Sequence, residues 1–241
     1  MRAAVDDIVF LFDVDNTLLD NDGIQADLSD HLLAKFGAGA RDRYWAIFER
    51  LRDELGYADY IGALERYRLE DQHDPRVLTM STWLIDYPFG DRLYPAALDA
   101  VAHVSQWGRT VVLSDGDAVF QPLKVERSGI GGAFEGRVLI FVHKEQQLDD
   151  VERLYPARRY VLIDDKPRIL AAVKAAWGGR VTTVFPKQGR YAQDARATAQ
   201  APPADVVIER IGNLVALDRV AFTPTSDRER ARRAGPTGTG E

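Results

Sequence analysis

Short apolar runs rich in β-branched and aromatic side chains recur along the chain, over residues 8–12, 110–113, 138–142, 160–163, 181–185 and 205–208. Their apolar positions are mostly continuous rather than alternating, as in parallel strands buried on both faces. Between them the period changes to that of helices. Pro95 suits a first helical turn, Leu98, Val101 and Val104 share a face, and Gly108 ends the pattern. A second helix runs from Pro167 through Ile169, Leu170 and Val173 to Trp177 and stops at Gly178 and Gly179. Strands alternating with helices predict an α/β protein with a doubly wound, Rossmann-like parallel sheet.

One interval departs from this rhythm. Residues 20–91 show helical periodicity (Leu28, Leu32, Phe36; Tyr44, Ile47, Leu51; Ile61, Leu64) and no convincing strand. A structureless loop of that length is rare in a compact domain, so a small helical domain inserted into the first crossover is expected. The core then comprises residues 1–19 and 92–222. From Thr223 the chain reads TPTSDRERARRAGPTGTGE, without a large apolar residue, and residues 223–241 are expected to be a disordered tail.

The length of 241 residues fits such a core with an insert. A net charge of -6 offers no positive field for nucleic acid or an anionic membrane, so any anionic substrate must be neutralised locally. The absence of cysteine excludes disulfides, Cys-ligated metals and thiolate catalysis and is compatible with a reducing compartment. The first residues do not resemble a secretion signal and no run approaches membrane-spanning length, so a cytoplasmic protein is expected.

Ligands of open α/β sheets sit at the carboxyl ends of the strands, and there the chemistry concentrates. Asp13-Val14-Asp15-Asn16-Thr17 follows the first strand, Ser114-Asp115-Gly116 the second, His143-Lys144 the third and Asp164-Asp165 the fourth. Any one of these suits a turn or a helix N-cap. Together, Asp13, Asp15 and at least one of Asp164 and Asp165 gather negative charge that is costly unless a cation joins it. Oxygen ligands without His or Cys favour Mg²⁺. Strand alternation predicts that Asp164 and Asp165 face opposite ways. Lys144, at the start of a helical pattern where a cation opposes the dipole, implies an anion nearby. His143 reads as structural.

FDVDNTL after the first strand, a Ser closing the second, a Lys after the third and IDD closing the fourth resemble the four ordered motifs of the haloacid dehalogenase superfamily. The resemblance spans about residues 8–208 and includes a helical insert where one subgroup carries its cap. It implies that Asp13 is a nucleophile forming an aspartyl-phosphate and that Asp15 is the general acid and base. It further implies Mg²⁺ held by Asp13, the Asp15 main-chain carbonyl, Asp164 and Asp165, with Ser114 and Lys144 binding the phosphoryl group and main-chain N–H groups near residues 14–16 completing the cradle. Pro often follows the lysine in capped relatives; Glu145 follows it here, which disfavours the phosphomutase branch.

The resemblance therefore implies a Mg²⁺-dependent phosphatase of small phosphorylated metabolites, with residues 20–91 as the cap and neither nucleic acid nor membrane as partner. Arg41, Arg43, Tyr44 and Trp45 in that insert read as amphipathic-helix residues, aromatics inward and arginines solvated. Two alternatives share parts of the pattern. A 2-haloacid dehalogenase uses the same nucleophile without metal but lacks the second acid supplied here by Asp15. A receiver-type signalling module places its acidic pair early, its phospho-acceptor later, and has no large helical insert. The substrate and the oligomeric state do not follow from these residues.

Overall fold

The structure is a computed structural model that describes residues 5–70, 73–194 and 201–223. Apart from Thr223, the expected tail lies outside the described residues. Six parallel strands form one sheet: β1 (Asp6–Phe12), β2 (Arg109–Asp115), β3 (Val138–Phe141), β4 (Ala157–Ile163), β5 (Val181–Pro186) and β6 (Val206–Ile208), in the order β3-β2-β1-β4-β5-β6. Each apolar run read from the sequence is one of these strands. The order reverses at β1, which pairs with β2 on one side and β4 on the other. Such a switch point opens a crevice at the carboxyl ends of the strands.

Between β1 and β2 come α1 (Asn21–Phe36), α2 (Ala38–Leu55), α3 (Tyr60–Glu70) and α4 (Val77–Ile85), then α5 (Ala97–Ser105). The other α-helices among the described residues are α6 (Phe120–Arg127), α7 (Ile130–Ala133), α8 (Leu148–Leu154), α9 (Pro167–Trp177) and α10 (Gly189–Gln193). Tyr44, Ile47, Phe48 and Leu51 form the buried face of α2, at the spacing that predicted the helix. Asp20 caps α1 by accepting from the Gly23 N–H, satisfying one of the donors a helix start leaves free.

The sheet is covered on both faces, which is why its strands are apolar throughout. Phe10, Phe12, Val112, Val161, Ile163 and Val184 face a core that also takes in Val101 of α5, Ile24 of α1 and Tyr60 of α3. On the other face Val9, Leu11, Val111, Leu113 and Leu162 pack against Val151 of α8 and Val173 and Trp177 of α9. Trp177 stacks on Tyr160 with ring centroids 4.3 Å apart. Because the first core is continuous from the sheet into α1 and α3, these helices are fixed beside the ends of the strands. At the end of α2, Gly56 has φ +82°, and a Cβ there would lie 2.4 Å from the His143 ring. Only glycine permits that close approach between α2 and the loop after β3. No helix among the described residues is long and apolar enough to cross a membrane.

Candidate active site

The strands end in step, and the residues that follow them converge. Asp13 leaves β1 with its N–H donating to Ile163 O of β4, and the Asp164 N–H donates to Val184 O of β5, so the sheet ladder continues into the first residues of each loop. Beyond Asp13 the chain turns tightly through Asn16, whose φ of +59° suits an asparagine. Gln188 donates to the carbonyls of Asn16 and Thr17 and pins this turn to the loop after β5.

The carboxylates of Asp13, Asp164 and Asp165 each place an oxygen within 4.8 Å of the others, and all three residues are buried. The Lys144 ammonium lies 2.5 Å from Asp13 Oδ1 and 2.7 Å from Asp164 Oδ2, fully excluded from solvent. It reaches there from a single 3₁₀ turn whose position is set by the Lys144 N–H donating to Asp115 Oδ1 at 2.8 Å. Thr17 Oγ1 donates to Asp13 Oδ2 at 3.2 Å and accepts from the Asp165 N–H at 3.1 Å. Both oxygens of Asp13 are thus oriented.

Electrostatics follow from this packing. Burial opposes ionisation of Asp13, but Lys144 and Lys166 outweigh it and hold the carboxyl below its ordinary value. Asp164 is pushed up to about 6, by burial first and by the Asp13 charge, against the opposing pull of Lys144. Asp165 is raised well above the ordinary carboxylate value, chiefly by burial. Burial disfavours the charge on Lys144, yet Asp13 and Asp164 hold its ammonium above the ordinary lysine value.

These residues fit a hard divalent cation. Neither carboxylate oxygen of Asp165 has a hydrogen-bond partner among the described residues, and Asp164 Oδ2 meets Lys144 as an ion pair outside hydrogen-bond geometry. Buried carboxylate oxygens without donors are costly and are what an oxygen-coordinated ion would satisfy.

Strand alternation had placed Asp164 and Asp165 on opposite sides. The structure corrects this: β4 ends at Ile163, so both residues lie in a turn that escapes the two-residue alternation, and both carboxylates enter the cluster. Asp15 is separate from the cluster. Its carboxylate receives two hydrogen bonds from Lys124 of α6, each 2.9 Å long. Ser114, buried at the end of β2, accepts from Gln121 Nε2 at 2.9 Å. The Asn16 N–H donates to Leu19 O and the Thr17 N–H to Val14 O, so neither is available for an anion. Tyr44 points inward and donates to Tyr60 O, while Arg41 and Arg43 pair with Asp42 and Glu70.

Lys124, Gln121, Asp115 and Lys166 were missed as site residues. For α6 a signal existed: Phe120, Gln121, Lys124 and Val125 form its buried face, so two polar residues occupy positions an amphipathic helix reserves for apolar ones.

No protein-family model matches the chain, and a search of curated proteins finds no match. Among solved structures, a haloacid dehalogenase-like hydrolase from Burkholderia xenovorans LB400 is 62% identical over 88% of this chain and 99% of that one, with a TM-score of 0.85. The L-2-haloacid dehalogenase of Xanthobacter autotrophicus, with chloropropionic acid covalently bound, shares the fold at 17% identity and a TM-score of 0.58, over 87% of this chain and 97% of that one. So does the magnesium-bound hydrolase YfnB of Bacillus subtilis, with the same identity, TM-score and coverage. With the strand-end motifs in register and a relative of this identity spanning nearly the whole chain, the protein belongs to the haloacid dehalogenase-like hydrolases.

Proposed function

We propose that the protein is a Mg²⁺-dependent phosphatase that hydrolyses small phosphorylated metabolites through an aspartyl-phosphate on Asp13. The observation that carries this reading is the pairing of a three-carboxylate cluster containing donor-free oxygens with a second acid, Asp15, two residues beyond the nucleophile. Asp13, Asp164, Asp165 and the main-chain carbonyl of Asp15 would hold the ion. When bound, Mg²⁺ supplies charge neutralisation for the phosphoryl oxygens and for the carboxylates around them.

The remaining work falls to side chains of this chain. Asp13, ionised and oriented by Lys144 and Thr17, attacks phosphorus as the bond to the leaving oxygen breaks, and Asp15 in its acid form gives that oxygen a proton. A water then attacks the phosphorus, Asp15 takes its proton, and the Asp13 carboxylate is regenerated with release of phosphate. Lys144 neutralises charge on the nucleophile and the transferring group, and Ser114 donates to a phosphoryl oxygen. Helices α1–α4 act as the lid that excludes water from the crevice.

Carbon–halogen hydrolysis is the competing reading, favoured by the likeness to the Xanthobacter dehalogenase fold. It gives Asp15 no proton to transfer and leaves the donor-free oxygens of Asp165 unexplained. A single set of assays separates the two. Purified protein is expected to hydrolyse p-nitrophenyl phosphate with Mg²⁺, to lose that activity with chelator, and to leave 2-chloropropionate intact. Phosphatase activity that survives complete metal removal, or chloride release in its place, sinks the proposal.

A further inference from the structure

Beside the carboxylate cluster lies a small cleft of about 90 Å³ whose lining charge is opposite to that of the molecule as a whole. Among the described residues Asp15 and Asp115 are the carboxylates that line it, against Arg52, Lys166, Arg168 and Arg190. In a chain of net charge -6, such an excess of cations in one cleft is a local feature.

The four cations come from three separate parts of the fold. Arg52 stands in the last turn of α2 and Arg190 on α10, while Lys166 and Arg168 flank the first residue of α9. The transferring group already has Lys144 and the proposed ion, so it does not account for Arg52 and Arg190.

Their existing partners leave hydrogen-bonding capacity unused. Arg190 Nη1 is 3.4 Å from the neutral Gln25 Oε1, and its nearest carboxylate contact, to Asp22, is 3.9 Å. Arg52 pairs with Glu49 within its own helix, an i,i+3 contact at the surface. Lys166 is 3.8 Å from Asp115 Oδ2, beyond hydrogen-bond range. Arg168 is held by Glu145 at 2.9 Å and is the most exposed of the set. A guanidinium presents five N–H donors, and these contacts occupy few of them. Clefts lined by one sign of charge concentrate ligands of the other sign.

We infer that this cleft is a subsite for a second anionic group on the leaving part of the substrate, a carboxylate or another phosphate, with Arg52 and Arg190 as its principal ligands. The inference rests on the phosphatase reading and narrows it to phosphorylated acids and bisphosphates. Phosphate esters of neutral alcohols fill the phosphoryl site and leave the cationic cleft unsatisfied. The subsite also joins the helical insert to the core, since Arg52 belongs to the insert and Arg190 follows β5.

The test measures binding without turnover. Asp13→Asn protein with Mg²⁺ is titrated by calorimetry with 2-phosphoglycolate against ethyl phosphate, and with fructose 1,6-bisphosphate against fructose 6-phosphate. At least one member with two anionic groups should bind about tenfold or more tightly than its partner, and the pair that discriminates identifies the second anion. Adding Arg190→Gln or Arg52→Gln should bring that ratio to within about threefold, whereas Arg52→Lys should keep part of it. Equal binding within both pairs overturns the subsite, as does a preference that survives both glutamine variants. Hydrolysis of p-nitrophenyl phosphate by the unmodified protein is scored separately. Its absence removes the phosphatase reading whatever the binding ratios, and its presence with flat ratios removes the subsite alone.

Discussion

Lys124 and Asp15 form a two-pronged ion pair: the ammonium lies 2.9 Å from each oxygen of the carboxylate, and its third short contact is Asn21 Oδ1 at 2.8 Å. The ammonium sits 5.2 Å from the ring centroids of both Tyr60 and Phe120, so aromatic faces complete its surroundings. At 1% exposure it is closed off from solvent. The proposed general acid and base is therefore aimed by a residue more than a hundred positions away in the chain.

Lys124→Met keeps most of the apolar stem and removes the charge. Because its effect passes through Asp15, it should depend on how much the leaving group needs a proton. Turnover of an alkyl phosphate is expected to fall about 10 to 100-fold, and that of p-nitrophenyl phosphate, a good leaving group, by much less. Equal losses on both would show that Lys124 supports the fold and not the acid.

Asp13→Asn preserves shape and leaves Lys144 paired with Asp164. Turnover should drop by about a thousandfold or more, since within the cluster of Asp13, Asp164 and Asp165 only Asp13 is hydrogen-bonded through both oxygens. The circular dichroism spectrum should be unchanged. Rates near those of the unmodified protein would show that another group attacks.

Asp165→Asn separates stability from ion binding. The asparagine replaces an acid whose ionisation burial opposes and whose oxygens have no donor among the described residues, so metal-free protein should gain about 1–3 kcal/mol in denaturant unfolding at neutral pH. Its Mg²⁺ affinity should fall about tenfold or more. If stability drops and affinity holds, Asp165 is not a cation ligand.

A related experiment varies pH. Asp164 titrates at about 6 in the folded protein, against 3.8 for the free side chain, so the folded state takes up a proton that the unfolded chain takes up only in stronger acid. Stability of metal-free protein should therefore rise as pH falls from 7 to 5, by about 1 kcal/mol, since pH 5 lies one unit below the folded value and each unit is worth 1.36 kcal/mol. Asp13, held below its ordinary value, works in the opposite sense only in stronger acid. Saturating Mg²⁺ should flatten the rise, because ion and proton compete for the same oxygens. Metal-free protein that loses stability over that interval would contradict burial as the force that raises Asp164.

Much of this was readable from one dimension. The strand runs were visible because burial on both faces demands continuous apolar residues, and the chemistry was visible because the sheet must end where those runs end. Lys144 was found because it followed a strand, and its full burial could not be read from its neighbours. Lys124 escaped because its partner, Asp15, is remote in sequence and only the packing of α6 beneath Tyr60 brings them together. Arg52 and Arg190 escaped for the same reason, since nothing local distinguishes them from other arginines on helices. The error over Asp164 and Asp165 had another origin: alternation is a property of extended backbone, and it lapses one residue after Ile163.

The strand order also governs when the carboxylate cluster can come into being. The strands that pair with β1 are made well after it, beginning at Arg109 and Ala157. During synthesis from the amino end, Asp13 is made long before Lys144, Asp164 and Asp165, and α1–α4 have emerged before any strand is present to pair with β1. The site that starts at residue 13 is consequently completed only once the ribosome has passed residue 165, and a chain stalled before residue 144 would carry the proposed nucleophile without its countercharge.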